Sequence, residues 1–313
     1  MLAPSFGDRL VALIGHGRVQ TRAPLADLTT FKVGGPADWL VDLHTEAELT
    51  AVLQTARDHH LPVTMLGGGS NVLIADAGIR GLVIRLRLVE ITQPAPRLVR
   101  AGAGVTINGL VRWTVGKGLA GLEAWAGTPG TVGGAIYGNA HWSRRNIGDL
   151  VTTVGLVSRS GERRDVPANE MEFGYDTSRL SRMGEIAIWA EFGVSPGEPA
   201  ELRARARESL AYRKRTQPLA QPSAGCIFQN PDPARDPVPA DIPASAGALV
   251  DRAGLKGTTI GGATISPTHA NFIINDGTAR AADIRALIET ARTAVRTRFG
   301  VELRDEVVFL GTF

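Results

Sequence analysis

The chain is poor in several features that would place it in other classes of protein. It has a single cysteine, Cys226, which cannot form an internal disulfide and is typical of a reducing compartment. No apolar run approaches the ~20 residues that a membrane helix needs, and Asp8 and Arg9 interrupt the short apolar stretch at the amino terminus. We therefore expect a cytoplasmic protein with neither a membrane anchor nor a secretory signal.

Neither positive nor negative charge is in large excess. The 34 Lys and Arg residues against 31 Asp and Glu residues leave a formal net charge of +3, which is not the basic surface of a nucleic-acid-binding protein. The densest basic stretch, 203–215, wraps around more than one helix face. A solvated surface is its ordinary interpretation, and a phosphate-facing helix end is the alternative. We predict no nucleic acid, no membrane and no metal as a partner.

Apolar residues are present in the amount that globular domains need. Hydrophobic residues make up 43% and charged residues 21% of the 313 residues, with a mean hydropathy of +0.01. This length favours about two to three domains of ~100–150 residues.

Capping and periodicity predict a helix near the amino terminus. Residues 45–60 begin with Thr45 and Glu48 in capping-box spacing and continue with apolar residues at i, i+3, i+4 and i+7. A short apolar run, 63–66, follows and ends in the glycines at 67–69. The predicted order is therefore helix, strand and Gly-rich loop.

The remaining chain alternates between sheet and helix patterns. Residues 82–107 are rich in Val, Ile and Leu around a Pro-containing break, which predicts strands leading into a short helix near 107–115. Residues 151–166 form a hairpin pattern with its turn at Ser160 and Gly161. Further elements are predicted as helices at 199–215 and 282–299 and as a terminal strand at 306–311. The apolar residues of the second helix form one stripe, which consists of Ile284, Leu287, Ile288, Ala291, Val295 and Phe299.

Two glycine-rich loops can bring backbone N–H groups close to an anion. The first is 66–73 and the second is 126–140, whose threonine hydroxyls can meet phosphate or flavin edges. A plain tight turn is the alternative for either loop alone, but two such loops favour a bound dinucleotide. The candidate cofactor-binding residues are Gly67, Gly68, Gly69, Ser70, Asn71, Thr128, Gly130, Thr131, Gly133 and Gly134.

A Rossmann motif is the competing interpretation, because Gly102 and Gly104 follow a predicted strand and precede a predicted helix. The motif fails at its third glycine, where Ile107 stands. Glu123 is the acidic residue available about 20 positions further on. We therefore do not predict a Rossmann domain.

Six segments carry a resemblance through their order and spacing, and together they cover nearly the whole chain. They are TTFKVGGPADWL (29–40), LGGGSNVL (66–73), GTPGTVGGA (127–135), SAGCIFQNP (223–231), GLKGTTIGGATISPTHANFIIN (254–275) and LRDEVVFLG (303–311). In combination they resemble the MurB family.

The resemblance implies an α+β fold with a two-lobed FAD-binding region of the vanillyl-alcohol-oxidase (PCMH) type and a C-terminal α+β substrate-binding domain. The implied FAD-binding lobes are 1–78, to which the terminal strand 307–313 can return, and 79–215. The implied UDP-sugar-binding domain is 216–306. No tyrosine-bearing loop is inserted between 176 and 215, which is typical of the shorter, second type of the family.

The resemblance also implies a two-stage reaction in peptidoglycan biosynthesis. NADPH reduces FAD and leaves, and the reduced flavin hands a hydride to C3 of the enolpyruvyl group of UDP-N-acetylenolpyruvoylglucosamine. A proton must then reach C2 to give UDP-N-acetylmuramate, and a positioned acid contributes ~10²- to 10⁴-fold to such a step.

Cys226 occupies the position at which the family has a serine or cysteine proton donor. A thiol of ordinary pKa is mostly protonated at neutral pH and is a better acid than a serine hydroxyl. A small buried hydrophobe is the alternative role of a free cysteine. A nucleophilic thiolate is another, which would need His141 or His269 as a base.

Glu306 matches the family's carboxylate near the reacting centre, where it would assist protonation or stabilise the developing enol. An ordinary glutamate at a strand edge is the alternative. The catalytic residues implied by the resemblance are therefore Cys226 and Glu306.

Asn230 and Asn271 match polar positions of the family around the UDP-sugar, and Tyr175 opens its Tyr-Arg-x-Ser motif. We expect these three residues, together with Arg179 and Gln229, to bind the substrate. Gln229 itself departs from the family, in which Lys is usual.

Two further departures concern neighbouring motifs. Asp176 stands where the family places an arginine that pairs with an anionic substrate, and the segment 138–146 replaces the usual NAGAYG continuation. We expect Arg179, Arg182 or another arginine to supply the missing charge.

Two other functions remain open at this stage. One is a different flavin oxidoreductase of the same fold, which would oxidise a small alcohol or sugar with oxygen as acceptor. The other is a non-catalytic protein that binds a UDP-sugar or a flavin, which the missing arginine at 176 makes conceivable.

Overall fold

The computed structural model describes residues 5–142 and 145–313, and the chain divides into two compact units. Unit 1 consists of Met1–Ala23, Ala37–Gly68 and Arg80–Ala211, and unit 2 consists of Pro24–Pro36, Gly69–Ile79 and Tyr212–Phe313. Unit 2 therefore combines two short early segments with the last third of the chain.

Unit 1 contains two main sheets and most of the helices. Its helices are α1 (Phe6–Ile14), α2 (Glu46–Asp58), α3 (Ile107–Gly116), α4 (Val132–Tyr137), α5 (Arg179–Met183) and α6 (Pro199–Thr216), which runs on into unit 2. Its strands are β1 (Val19–Pro24), β2 (Pro36–Leu43), β3 (Val63–Met65), β5 (Ile79–Leu86), β6 (Ile91–Ala95), β7 (Leu98–Gly102), β8 (Leu119–Ala120), β9 (His141–Trp142), β10 (Arg145–Asn146), β11 (Val151–Val157), β12 (Arg163–Pro167), β13 (Ile186–Gly193) and β14 (Ser195–Pro196).

The first sheet of unit 1 has the strand order β1-β2-β5-β3, and β3 pairs with β5 in parallel. Helix α2 begins as predicted, because the Thr45 hydroxyl accepts the backbone N–H of Glu48 at 3.1 Å. The Glu48 carboxylate accepts the backbone N–H of His44 at 2.7 Å instead of that of Thr45. The apolar face of the helix is buried in a core that includes Leu10, Leu43, Leu49, Val52, Leu82 and Ile84.

The second sheet of unit 1 is antiparallel, with the strand order β12-β11-β13-β7-β6. Strands β11 and β12 form the predicted hairpin, in which Gly155 lies opposite Asp165. Gly161 in the turn has a φ of +91°, which favours glycine. Strand β13 is buried over almost its whole length because it lies in the middle of the sheet.

Gly102 and Gly104 allow close contact with another backbone segment and do not form a phosphate-binding loop. A Cβ added at Gly102 would lie 2.2 Å from the carbonyl oxygen of Leu88, and one added at Gly104 would lie 2.5 Å from that of Leu86. The glycines are needed for close packing of the chain, which agrees with the rejection of a Rossmann motif.

Unit 2 is built around a long helix and two small sheets. Its elements are β4 (Val72–Ile74), α7 (Ala246–Arg252), β15 (Thr259–Ile260), β16 (Ala263–Ile265), β17 (Ile273–Asn275), α8 (Ala281–Phe299) and β18 (Val308–Leu310). Strands β4 and β18 pair in parallel, and β15, β16 and β17 form an antiparallel sheet.

Helix α8 confirms the predicted stripe of apolar residues. Asp76 caps the amino-terminal end of the helix. Its two carboxylate oxygens accept the backbone N–H groups of Ala281 at 2.8 Å and Ala282 at 3.0 Å. Of the side chains predicted on one face, Ile284, Leu287, Ile288, Ala291 and Val295 are buried in the core of unit 2, and Phe299 is partly buried against it.

The predicted helices at 107–115 and 199–215 are confirmed as α3 and α6, and the terminal strand as β18. Among the described residues, we find no helix with the length and hydropathy needed to cross a membrane. The division into domains at residues 78, 215 and 306 stays a prediction.

Gly102→Ala is expected to lower the urea midpoint of unfolding, because its Cβ overlaps the Leu88 carbonyl and the backbone must shift. Such overpacking costs ~1–3 kcal/mol. Gly116→Ala is the matched control at the end of α3, since its Cβ would have no heavy atom within 4 Å. Equal midpoints for the two variants would show that the close approach at Gly102 does not constrain the fold.

Candidate active site

The two predicted glycine loops meet within unit 1. A Cβ added at Gly68 would lie 2.7 Å from the Cα of Gly130, and one added at Gly67 would lie 2.9 Å from Oγ1 of Thr131. Side chains at 67 and 68 would separate the loops. Gly67, Gly68 and Gly134 are exposed, so this junction presents backbone to solvent.

The second loop is held by bonds to the start of α3. The backbone N–H of Ile107 donates to the carbonyl of Gly130 at 3.1 Å. The Asn108 side chain accepts the N–H of Gly127 at 2.7 Å and donates to the carbonyl of Thr128 at 3.1 Å. Thr131 caps α4. These bonds fix the loop before any ligand binds.

Gly69 and Asn71, the continuation of the first loop, belong to unit 2. Gly69 has a φ of +62°, and a Cβ there would lie 2.0 Å from the carbonyl oxygen of Leu28, so the chain packing already requires this glycine. The side-chain amide of Asn71 donates to the backbone carbonyl of Glu306 at 3.0 Å. Asn71 thus ties this loop to the segment that carries the predicted catalytic carboxylate.

Cys226 and Glu306 lie on adjoining segments of unit 2. The backbone N–H of Glu306 donates to the carbonyl of Ile227, the residue after Cys226, at 2.8 Å. The buried side chain of Asn271 accepts the N–H of Phe228 at 2.9 Å and donates to its carbonyl at 2.8 Å. The predicted substrate residue Asn271 therefore fixes the backbone beside Cys226. The structure brings these three predicted residues together.

Arg213 is a site residue that the sequence did not single out. It is only 6% exposed, whereas Tyr212, Lys214 and Arg215 beside it are exposed. Burial lowers the pKa of Arg213 to about 10, and its attraction to Cys226 opposes that shift. A guanidinium in this position stabilises the thiolate that remains after a thiol gives up its proton. The sequence of the basic stretch 203–215 does not indicate which of its five arginines is buried, because tertiary packing decides that.

Of the two histidines considered as a base for Cys226, His269 is poorly suited to hold a thiolate. Nδ1 of His269 accepts the backbone N–H of Asn271 at 3.2 Å, and burial lowers the pKa of His269 below its usual value. A lowered pKa makes a weaker base. Nδ1 of His141 lies 3.0 Å from Oδ1 of Asp176. His269 is therefore a weak candidate for the base of a nucleophilic cysteine, and the role of Cys226 as a proton donor stays a prediction.

Two other predicted substrate residues lie on the same part of unit 2. Gln229 donates its backbone N–H to the carbonyl of Arg304 at 2.9 Å, and its side chain is half-buried. Asn230 is exposed, and its side-chain oxygen accepts the N–H of Ala246 at the start of α7, at 3.1 Å. Their contacts with substrate stay predictions.

The remaining predicted substrate residues, Tyr175 and Arg179, lie in unit 1. The Tyr175 side chain is 45% exposed, and its ring lies 5.1 Å from that of His141. The Arg179 guanidinium donates to Glu185 at 2.8 Å, and Arg182 is paired with Glu172. Both arginines considered as replacements for the family arginine are thus already bound to carboxylates.

Comparison with known proteins identifies two families along the chain. Residues 37–166 match the FAD binding domain, and residues 217–310 match the C-terminal domain of UDP-N-acetylenolpyruvoylglucosamine reductase. The paired glycine loops lie within the first match and fit FAD, because they expose backbone that a Cβ would cover. The protein is an FAD-dependent oxidoreductase.

Relatives align with this chain over nearly its full length. Proteins named UDP-N-acetylenolpyruvoylglucosamine reductase from Synechococcus sp. (strain WH7803) and Anaeromyxobacter sp. (strain Fw109-5) are 40% and 42% identical to it. They align over 96% and 95% of this chain and over 96% and 90% of their own length.

A solved structure is similar over the same extent. The crystal structure of UDP-N-acetylenolpyruvylglucosamine reductase (MurB) from Thermus caldophilus has a TM-score of 0.78 at 34% identity, and the match covers 94% of this chain and 99% of that one. The chain belongs to the UDP-N-acetylenolpyruvoylglucosamine reductase family. The predicted fold class is confirmed with it.

Gly134→Ala is expected to weaken FAD binding roughly tenfold, about 1.4 kcal/mol, without harming the fold. The added Cβ meets no protein atom closer than Oγ1 of Thr131 at 3.7 Å, an ordinary contact, so a loss of affinity reports on the ligand. Fluorescence titration of the FAD-free protein measures it. Gly138→Ala, whose Cβ would lie 3.9 Å from the carbonyl of Gly134, is the control. An unchanged FAD dissociation constant in Gly134→Ala would remove Gly134 from the cofactor site.

Arg213→Met is expected to move the alkylation of Cys226 by iodoacetamide to higher pH, because the thiolate loses a buried cation. The rate of modification as a function of pH measures this effect in the single-cysteine protein. Lys214→Met, which removes an exposed charge from the next position, is the control. A profile that does not move in Arg213→Met would mean that the guanidinium does not act on the sulfur.

Proposed function

We propose that this protein reduces the enolpyruvyl ether of UDP-N-acetylenolpyruvoylglucosamine to UDP-N-acetylmuramate in peptidoglycan synthesis, with NADPH as the source of electrons. The names of full-length relatives support the substrate and the reaction. The structural observation that carries the proposal is the bond between Glu306 and the Ile227 carbonyl, which places a carboxylate-bearing segment beside a thiol-bearing one.

The cofactor-binding role belongs to the junction of the two glycine loops. Backbone at Gly67, Gly68, Gly130 and Gly134 allows the close approach that FAD needs, and Thr131 adds a hydroxyl beside it. The neighbouring candidates that complete this set are Gly69, Ser70, Asn71, Thr128 and Gly133. FAD supplies the hydride chemistry that no side chain can provide.

Cys226 holds the proton that the reduction requires. Addition of a hydride at C3 leaves negative charge on C2 and its carboxylate, and Sγ of Cys226 donates a proton to C2 to complete the C–H bond. The electron pair of the broken S–H bond remains on sulfur as a thiolate. The buried cation of Arg213 stabilises that charge, so it lowers the barrier to proton transfer.

Glu306 acts next to this proton transfer, where it stabilises the enol or assists protonation. Two hydrogen bonds fix the backbone of Glu306. Its N–H donates to the carbonyl of Ile227, and its carbonyl accepts from the side-chain amide of Asn71. Such fixation limits the range of positions open to the carboxylate.

Five residues are proposed to bind the substrate. Tyr175 and Arg179 come from unit 1, and Gln229, Asn230 and Asn271 come from unit 2. We also propose a cytoplasmic location, because the single thiol has to stay reduced in order to act.

Cys226→Ala is expected to leave reduction of the flavin by NADPH nearly intact and to slow its reoxidation by the UDP-sugar about 10²-fold or more. The reason is that only the second half-reaction needs the proton. Stopped-flow absorbance of the flavin separates the two half-reactions. Cys226→Ser, which retains a donor, should keep appreciable activity.

Three outcomes would count against parts of this proposal. Equal slowing of both half-reactions in Cys226→Ala would assign the thiol a structural role. Bleaching of the wild-type flavin by NADPH with no restoration by UDP-N-acetylenolpyruvoylglucosamine would reject the substrate. Rapid reoxidation by air in the presence of an alcohol would support a different flavin oxidase.

A further inference from the structure

Arg292 on helix α8 contacts the segment that carries Glu306 at two points. Its Nε donates to the backbone carbonyl of Leu303 at 3.2 Å, and its Nη2 donates to the carboxylate of Asp305. The Arg292 side chain is only 16% exposed. A nearly buried arginine of the long helix therefore holds the residue that directly precedes Glu306.

The same guanidinium lies beside the segment that carries Cys226. Its central carbon lies 5.8 Å from the centre of the Phe228 ring, within the range of a cation–π contact. Phe228 and Asp305 lie opposite each other in an antiparallel bridge. Arg292 thus contacts both members of the bridge that joins the two segments.

Backbone hydrogen bonds continue this bridge on both sides. The N–H of Gln229 donates to the carbonyl of Arg304 at 2.9 Å, and the N–H of Glu306 donates to the carbonyl of Ile227 at 2.8 Å. The relative position of the two segments is therefore set by a short ladder, and its centre is the pair that Arg292 contacts.

The carboxylate of Asp305 depends on this cation. Burial raises the pKa of Asp305 above its usual value, and attraction to Arg292 opposes that rise. Glu289 on the same helix adds a further negative charge, and it accepts from Nη1 of Arg292 at 2.6 Å. Without the guanidinium, the Asp305 carboxylate would be better stabilised by water than by the protein, so the chain at 305 would shift outward.

Such a shift would also displace Glu306. Neighbouring side chains of an extended segment point to opposite faces. The bond from Arg292 directs the Asp305 carboxylate towards α8, so it determines which of two adjacent carboxylates is presented away from the helix. Slippage of the segment by one residue would exchange them.

We propose that Arg292 is a positioning residue for the reaction, which holds Asp305 and the Leu303 carbonyl against α8 and so keeps Glu306 beside the segment of Cys226. The inference rests on the proposed function for the roles of Cys226 and Glu306. Arg292 acts through Asp305 and contacts no reacting group.

Arg292→Met is expected to slow reoxidation of the reduced flavin by UDP-N-acetylenolpyruvoylglucosamine about 10- to 100-fold, because a displacement of about 1 Å at a reacting group can cost that much. Reduction of the flavin by NADPH should be unchanged, and stopped-flow absorbance measures both steps. Arg292→Lys, which retains a cation for Asp305, should recover part of the rate. Arg296→Met, at an exposed arginine one turn further along α8, is the control.

A double-mutant cycle tests whether Arg292 acts through Asp305. Asp305→Ala should slow the same half-reaction, and the double variant Arg292→Met with Asp305→Ala should be no slower than Arg292→Met alone. Losses that multiply in the double variant would reject this route. Glu289→Gln, which changes the partner of Arg292 on the helix itself, should react as the wild type does.

Hydrogen exchange measures the position of the segments without any substrate. In the FAD-loaded enzyme, Arg292→Met should speed exchange at the N–H groups of Gln229 and Glu306. The N–H of Ala253, which donates to the Leu249 carbonyl in α7, should exchange as in the wild type. Unchanged exchange at Gln229 and Glu306 would contradict the inference. If Ala253 also exchanges faster, the variant has lost the fold of unit 2, and Arg292→Lys takes its place with a smaller rise confined to Gln229 and Glu306.

The inference and the function on which it rests fail in different ways. If the wild-type reduced enzyme is not reoxidised by the UDP-sugar, the proposed function is rejected, and the exchange rates still decide whether Arg292 fixes the segment. If folded Arg292→Met is reoxidised at the wild-type rate, or if both half-reactions are slowed equally, Arg292 is not a positioning residue for this reaction.

Discussion

The structure depends on the close approach of two backbones at Gly68 and Gly130. No side chain larger than hydrogen fits between them at position 68, because a Cβ would lie 2.7 Å from the Cα of Gly130. This contact joins the loop after β3 to the loop before α4, and it leaves peptide groups instead of side chains at the surface. Such a surface lets backbone N–H groups approach a pyrophosphate closely. Everything proposed about flavin binding follows from that constraint.

The chemistry proposed for unit 2 depends on a comparable fixation of backbone. The Asn271 amide satisfies both polar groups of Phe228, and the Ile227 carbonyl accepts the N–H of Glu306. Cys226 therefore lies on a segment whose backbone has little conformational freedom. The guanidinium of Arg213, buried nearby, favours the deprotonated sulfur as the product of proton donation. The surroundings of Cys226 thus include a buried cation that attracts a thiolate at this position.

Much of the fold could be predicted from local patterns. The cap at Thr45, the stripe from Ile284 to Val295 and the hairpin turn at Gly161 are each decided by residues near one another in sequence. Gly102 and Gly104 were ambiguous, because their reason for being glycine is contact with the distant carbonyls of Leu88 and Leu86. The MurB resemblance identified Cys226 and Glu306 through motifs that periodicity alone could not explain.

Features that arise from long-range packing could not be predicted. Arg213 resembles its exposed basic neighbours in sequence, and only tertiary packing buries it. The pairing of His141 with Asp176 joins positions 35 residues apart through the bonds of Asn139. Sequence reasoning recognised both positions as departures from the family but treated them separately. A missing arginine therefore suggested another arginine, whereas the structure places a histidine beside the aspartate.

A crystal structure of the holoenzyme with UDP-N-acetylenolpyruvoylglucosamine would show whether Cys226 faces the carbon that receives the proton. The distance to measure is that between Sγ of Cys226 and C2 of the enolpyruvyl group, with C3 against the flavin. We expect about 3.5 Å, the separation of reacting atoms. A sulfur separated from C2 by protein atoms would contradict the assignment of Cys226 as the proton donor.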